Sequence, residues 1–121
     1  MIDRLYWYVD NRSDIPVLDF VKGLTKKDQA KIREYIQALK LYGHNLRRPM
    51  ADYLGHGIYE LRPKDNRVFY FFYLRNNIVF VHAIRKDSDK IYESDLQTCL
   101  KRKAIIEELG ENIIEIKGDD L

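Results

Sequence analysis

The stretch "YELRPKDNRVFYF" sets Arg62 and Arg67 on either side of a short polar segment. If Pro63–Asn66 form a hairpin turn, the two arginines oppose each other across an antiparallel pair. Opposed positions share one face of a sheet, and so do residues two apart, so Glu60, Arg62, Arg67 and Phe69 would lie together. Two arginines in that position repel unless Glu60 or an external anion sits between them. The ordinary reading is a surface salt-bridge cluster. The functional reading is a phosphate clamp, because a guanidinium presents a fork of donors matched to phosphate oxygens. The next apolar run leads into "RKDSDKIY", which brings Arg85 and Lys86 to the same end of the sheet, with Tyr92 a little farther along. Arginine, lysine, tyrosine and a carboxylate together suit metal-free cleavage of a phosphodiester: the cations stabilise the phosphorane, and the tyrosine stacks on a base or handles a proton. RNA carries its own nucleophile, the 2′-OH. Taken alone, Tyr92 reads as a half-buried aromatic at the start of a helix.

Other reactive side chains point elsewhere. His44 and His56 fall in polar loops and read as solvent-exposed. His82 alternates with Phe80 and Ile84, which favours a core-facing, hydrogen-bonded histidine over a catalytic base. Cys99, the one cysteine, falls among Leu96, Leu100 and Lys103 at helical spacing and reads as a buried thiol; a lone cysteine also fits a reducing cytosol. One cysteine and three scattered histidines supply no zinc spacing, and no cofactor is expected. The aromatic run "FYFFY" (69–73) reads as core packing rather than a base-stacking platform.

These residues need a scaffold. "IDRLYWYV" reads as a strand. "SDIPVLDFVKGL" reads as a short helix with Ser13 or Asp14 as its cap, Pro16 in its first turn and Gly23 at its end. "TKKDQAKIREYIQALKLYG" opens on Thr25 with Asp28 three residues on, repeats Ile32, Tyr35, Ile36, Leu39 and Tyr42 at helical spacing, and stops at Gly43. "HNLRRPMADYLGHG" reads as a loop with one helical turn around Met50–Leu54. Strands are predicted over 58–62, 67–74 and 78–85, joined by "PKDN" and "RNN". A helix is predicted from about Ser94 to Leu109, and "ENIIEIKGDDL" reads as a further strand or an acidic tail over 110–121. The order β-α-α-β-β-β-α gives an α+β domain, its helices packed on an antiparallel sheet.

With 121 residues the chain fits one domain, and it has no apolar stretch of the length a membrane span requires. Its net charge of +2 is segregated: residues 1–42 carry 8 basic and 6 acidic side chains, 43–103 carry 12 and 7, and 104–121 carry 1 and 6. A basic centre with an acidic end suits a polyanion-binding face whose tail stays away from it or folds back over it. On charge alone, a solvated surface with clustered charges is the favoured explanation.

The segment "GIYELRPKDNRVFYFFYLRNNIVFVHAIRKDSDK" resembles the central sheet of the RelE/ParE toxin superfamily, and most closely its HigB-like, phage-derived branch. The matching features are the Gly57–Arg62 strand, the Arg67–Phe72 strand and the His82–Lys86 segment, followed by "LKRK" (100–103). The similarity covers roughly residues 1–106. It implies a RelE-like fold and a cytoplasmic type II toxin: a metal-independent endoribonuclease that cleaves mRNA at the ribosome to inhibit translation. It also implies a HigA-like helix-turn-helix antitoxin as partner, with DNA reached only through the antitoxin and no membrane association. By this resemblance Arg67 is the phosphate-stabilising arginine, Lys86 the second catalytic cation and Tyr92 the base-stacking tyrosine. Glu60 is the acid/base or the group that orients Arg67. Arg62, Lys64, Arg85 and Lys90 are the candidate RNA contacts. The chain departs from the family at Ile58 and Glu60, where some members carry lysines, and in "RKDSDKIYES", which lacks a helix-opening proline. The alternative on the same fold is a ParE-like toxin that inhibits DNA gyrase without cutting RNA. A catalytically inactive partner that keeps only the fold and the antitoxin interface is a third reading.

Overall fold

The computed structural model describes residues 2–86 and 93–118. Strand β1 (Arg4–Tyr8) sends Leu5 and Trp7 to one face and Tyr6 and Tyr8 to the other. Helix α1 (Pro16–Lys22) begins with its proline at the first turn, as read from the sequence. Its cap is Ile15 rather than Ser13 or Asp14, and Ile15 makes no side-chain bond. Asp10 instead organises the approach, its Oδ1 accepting the N–H groups of Arg12 and Asp14, while Ser13 takes a φ of 68° in the turn.

Helix α2 (Lys26–Tyr42) is capped by Thr25, whose Oγ1 accepts the Asp28 N–H at 3.2 Å. Ile32, Ile36 and Leu39 bury its inner stripe. It ends at Gly43, where φ is 52° and a Cβ would lie 3.2 Å from the Ile2 side chain. A 3₁₀ turn, Gly43–Asn45, follows.

The chain then departs from the expected loop. Residues Ala51–Gly55 form strand β2, not a helical turn. Ala51, Asp52 and Tyr53 pair with Leu61, Glu60 and Tyr59 of β3 (Ile58–Leu61), with a bulge between Tyr53 and Gly55. A partner strand supplies the ladder that "ADYLG" shows no local pattern for. Strands β4 (Asn66–Tyr73) and β5 (Asn77–Arg85), helix α3 (Glu93–Leu109) and strand β6 (Ile113–Glu115) complete the order. Of the two fates open to "ENIIEIKGDDL", the strand forms.

The fold is α+β, consistent with a RelE-like architecture, on a six-stranded sheet in the order β2-β3-β4-β5-β1-β6. It is mostly antiparallel, but β1 joins β5 in parallel, Leu5 beside Ile78 and Trp7 beside Phe80. Helices α1 and α2 cover one face, over Leu61, Val68, Tyr70, Ile78 and Phe80. Helix α3 covers the other, over Ile58, Phe69, Phe71, Val79 and Val81. The run "FYFFY" divides between the two cores, as alternation requires.

Between Phe69 and Tyr70 the β4–β5 register shifts by one: Phe69 pairs with His82, but Tyr70 with Phe80. Val81 is the extra residue of this bulge. Val81 and His82 consequently both face α3, and the alternation that would have grouped His82 with Phe80 is broken.

Candidate active site

The β3–β4 register pairs Tyr59 with Tyr70, Glu60 with Phe69 and Leu61 with Val68. Continued by one position, it sets Arg62 opposite Arg67, as the hairpin reading predicts. Glu60, Arg62 and Arg67 therefore meet on the α3 face. Glu60 Oε1 lies 3.9 Å from Arg67 Nε, and its Oε2 lies 3.9 Å from Arg62 Nε. Both distances suit ion pairing but exceed a hydrogen bond.

The cluster is buried, not a surface salt bridge. Glu60 is 5% exposed and Arg67 8%. Arg67 is fixed from behind: Nη1 donates to the carbonyls of Lys64 at 2.7 Å and Asn66 at 2.8 Å. Among the described residues, its Nε, Arg62 Nε and Glu60 Oε1 are buried without hydrogen-bond partners. The Glu60 carboxyl occupies the space between the two guanidinium groups and holds them in place, a preorganised pair of cations. Burial pushes the Glu60 carboxyl above the usual carboxylate range, opposed by the charges of Arg67, Arg62 and Lys86. A carboxyl placed so can hold or release a proton closer to neutrality.

Lys86 is half-buried just beyond β5, its backbone N–H bonded to the Asp65 carbonyl at 2.6 Å. Arg85 pairs with Asn66 across the ladder and is exposed. Alternation directs it away from the face of Ile84. Lys64 has a φ of 56° in the turn and lines a groove with Lys27, Ala30, Lys31 and Glu34 beside α2, so only its carbonyl joins the arginine cluster. Lys90 and Tyr92 lie outside the described residues.

One arrangement beside this site, the partners of His82, is not legible in the sequence. His82 Nε2 meets Asp95 Oδ1 at 2.7 Å, and its ring stacks on Phe69, which separates it from Glu60 in the same row of the sheet. Arg102 lies 3.5 Å from His82 Nδ1, donates to the Val81 carbonyl at 2.7 Å and covers the Tyr8 ring. His82 is hydrogen-bonded, in keeping with its sequence reading, but its partners are on α3 and no spacing rule announces them. Cys99 is buried, and burial pushes its thiol up to about 12, so it stays protonated and inert. Among the described residues no three His, Cys, Asp or Glu side chains gather into a metal-binding group.

A family model described as Phage derived protein Gp49-like (DUF891) matches residues 19–104, most of the chain and every residue of the cluster. The chain belongs to the Gp49-like family. That family falls within the RelE-like, HigB-type group of toxin–antitoxin toxins. No curated protein matches the chain. The Gp49-like match runs from within α1 through most of α3, while β1 and β6 lie outside it. Membership in a toxin family implies an antitoxin partner. Among the described residues no helix is long and apolar enough to cross a membrane.

Proposed function

We propose that this Gp49-like chain is a single-domain type II toxin of the HigB-like branch, an endoribonuclease that cleaves mRNA at the ribosome in the cytoplasm and so inhibits translation. The observation that carries this reading is the buried Glu60 bracketed by Arg62 and Arg67, with Lys86 close enough for its charge to act on the carboxyl. The scissile phosphate sits against the two guanidinium groups. The substrate 2′-OH attacks phosphorus and gives up its proton, the P–O5′ bond breaks, and the departing 5′ oxygen takes up a proton. The products are a 2′,3′-cyclic phosphate and a 5′-hydroxyl, with no metal or cofactor in the scheme. Arg67 and Arg62 stabilise the extra charge of the phosphorane, Lys86 adds a third cation, and Glu60 moves one of the two protons. Tyr92 is assigned to base stacking, and Lys64, Arg85 and Lys90 to the RNA backbone.

The antitoxin in this proposal is a HigA-like helix-turn-helix protein that also carries the DNA contacts. Leu41 and Tyr42, both more than half exposed at the end of α2, supply apolar surface for it.

The test is to induce the protein in cells and map mRNA ends while assaying gyrase supercoiling in parallel. New mRNA ends that depend on Arg67, with gyrase unaffected, are expected. Inhibited supercoiling with intact message would replace this reading by the ParE-like one.

A further inference from the structure

A second constellation lies on the other side of the same sheet edge. The 3₁₀ turn and β2–β3 enclose an open recess of about 660 Å³ whose lining includes His44, Arg47, Arg48, Asp52, Tyr53 and Tyr59. It combines aromatic rings with guanidinium groups, and none of these residues belongs to the Glu60–Arg67 cluster.

Two of its rings are exposed yet held in place. Tyr53 is 54% exposed, and its hydroxyl accepts the Gly57 N–H at 3.1 Å. Its ring packs 4.8 Å from Tyr59, which stacks on Tyr70 in the core. His44 lies flat on Phe72, ring centroids 3.7 Å apart, and its Nε2 is 3.2 Å from the Arg75 carbonyl. Rings fixed this way lose little freedom when a flat ligand stacks on them. Arg47 is equally tethered, with Nη1 donating to the carbonyls of His44 and Leu46; among the described residues no carboxylate pairs with it.

One lining residue of the recess neighbours the candidate active site. Arg48 bonds Asp52 at 2.7 Å, and Asp52 stands opposite Glu60 in the β2–β3 ladder. The charge of Glu60 reaches Arg48, and that of Arg62 reaches Asp52. The ion pair thus bridges the edge strand between the two sites.

We propose that the recess binds single-stranded RNA flanking the segment held at Arg67, one base stacking on Tyr53 and the adjoining phosphate meeting Arg47 and Arg48, with the strand crossing the β2 edge. Every base has a π-face, so such a platform grips RNA without reading its sequence, while the arginines follow the backbone. This inference rests on the ribonuclease reading for its choice of polymer.

The test uses the full chain and a 2′-O-methyl RNA oligonucleotide, which lacks the attacking hydroxyl, with binding read by fluorescence anisotropy across salt concentrations. Tyr53→Ala combined with Arg47→Ala is expected to weaken binding about tenfold, with a shallower salt dependence. Tyr53→Phe, which keeps the ring but loses the hydroxyl that accepts the Gly57 N–H, should bind more tightly than the double variant. Arg47→Glu reverses the charge and also removes the bonds to the His44 and Leu46 carbonyls; it should weaken binding in protein shown by circular dichroism to be folded, so the result does not depend on how the double variant folds. Unchanged RNA affinity in Arg47→Glu and in the folded double variant overturns the inference. So does unchanged RNA affinity coupled with lost antitoxin binding, which would make the recess a protein interface. The nuclease reading fails by a different result, wild-type cleavage in Arg67→Ala, which leaves the anisotropy measurement fully readable.

Discussion

Arg67 combines two roles that a single substitution would confuse. Its guanidinium is a donor for the proposed phosphate and the main positive charge beside buried Glu60. Arg67→Ala should lower cleavage by on the order of a hundredfold or more, as loss of one preorganised donor does. It should also destabilise the fold, because a buried carboxyl then loses a compensating charge. Arg67→Ala with Glu60→Gln removes both charges and is expected to regain stability but not activity. Cleavage restored in that double variant would show that Arg67 acts only on the fold. Glu60 also predicts a pH dependence. Burial raises its folded pKa above the unfolded value, so the native state holds this proton more tightly than the unfolded chain does. The resulting stability is fully present below the unfolded pKa and declines as pH rises through the raised folded pKa. Thermal midpoints of the wild type, taken relative to Glu60→Gln, should therefore fall as pH climbs through and above the ordinary carboxylate range. Parallel curves for the two proteins would remove Glu60 as the source.

At the scale of elements, α3 is pinned to the sheet at the place where β5 bulges. The bulge at Val81 turns His82 toward Asp95, and Arg102 bonds the Val81 carbonyl. The His82–Asp95 contact is half-buried and 2.7 Å long, so a double-mutant cycle with alanine should give a coupling of about 1 kcal/mol in urea unfolding. Additive effects of the two substitutions would mean that the pair does not hold the helix. The same element shows where reading from sequence stops. The pairing of Arg62 with Arg67 was legible, because a four-residue turn and strict alternation fix it locally. The environment of His82 was not, because one inserted residue reverses the phase on which the alternation rule depends.

At the scale of the whole molecule, the charge segregation acquires a geometry. β6 occupies the far edge of the sheet from β3 and β4, and three strand spacings separate it from β4, roughly 14 Å at the usual spacing. Glu115 is engaged there by Arg4 at 3.5 Å and Lys117 at 3.6 Å. At physiological salt, charges so placed are largely screened from the arginine cluster. Glu111→Gln with Glu115→Gln should therefore change RNA affinity less than twofold, where a covering tail would make the change severalfold. Deleting residues 110–121 should instead lower the thermal midpoint, since it strips β6 from Tyr6, Trp7 and Tyr8. An unchanged midpoint would mean that the pairing of β6 with β1 contributes nothing to stability.

The sequence by itself determined the elements whose signals are local: the capped and glycine-stopped α2, the three central strands, and the hairpin that gathers Glu60, Arg62 and Arg67. Caps, turns and alternation act within a few residues, so their effect can be read without knowing what packs against them. Only the tertiary structure decided the rest. Strand β2 has no local pattern, and the β6 segment reads as either a strand or a tail; both form because β3 and β1 offer them a ladder. The parallel union of β1 with β5 joins residues more than seventy positions apart. Burial of Glu60 and Arg67 beneath the α3 face turned a nominal surface salt bridge into a low-dielectric cluster. These outcomes depend on which surfaces meet, and that is settled by packing between distant segments rather than by the residues on either side.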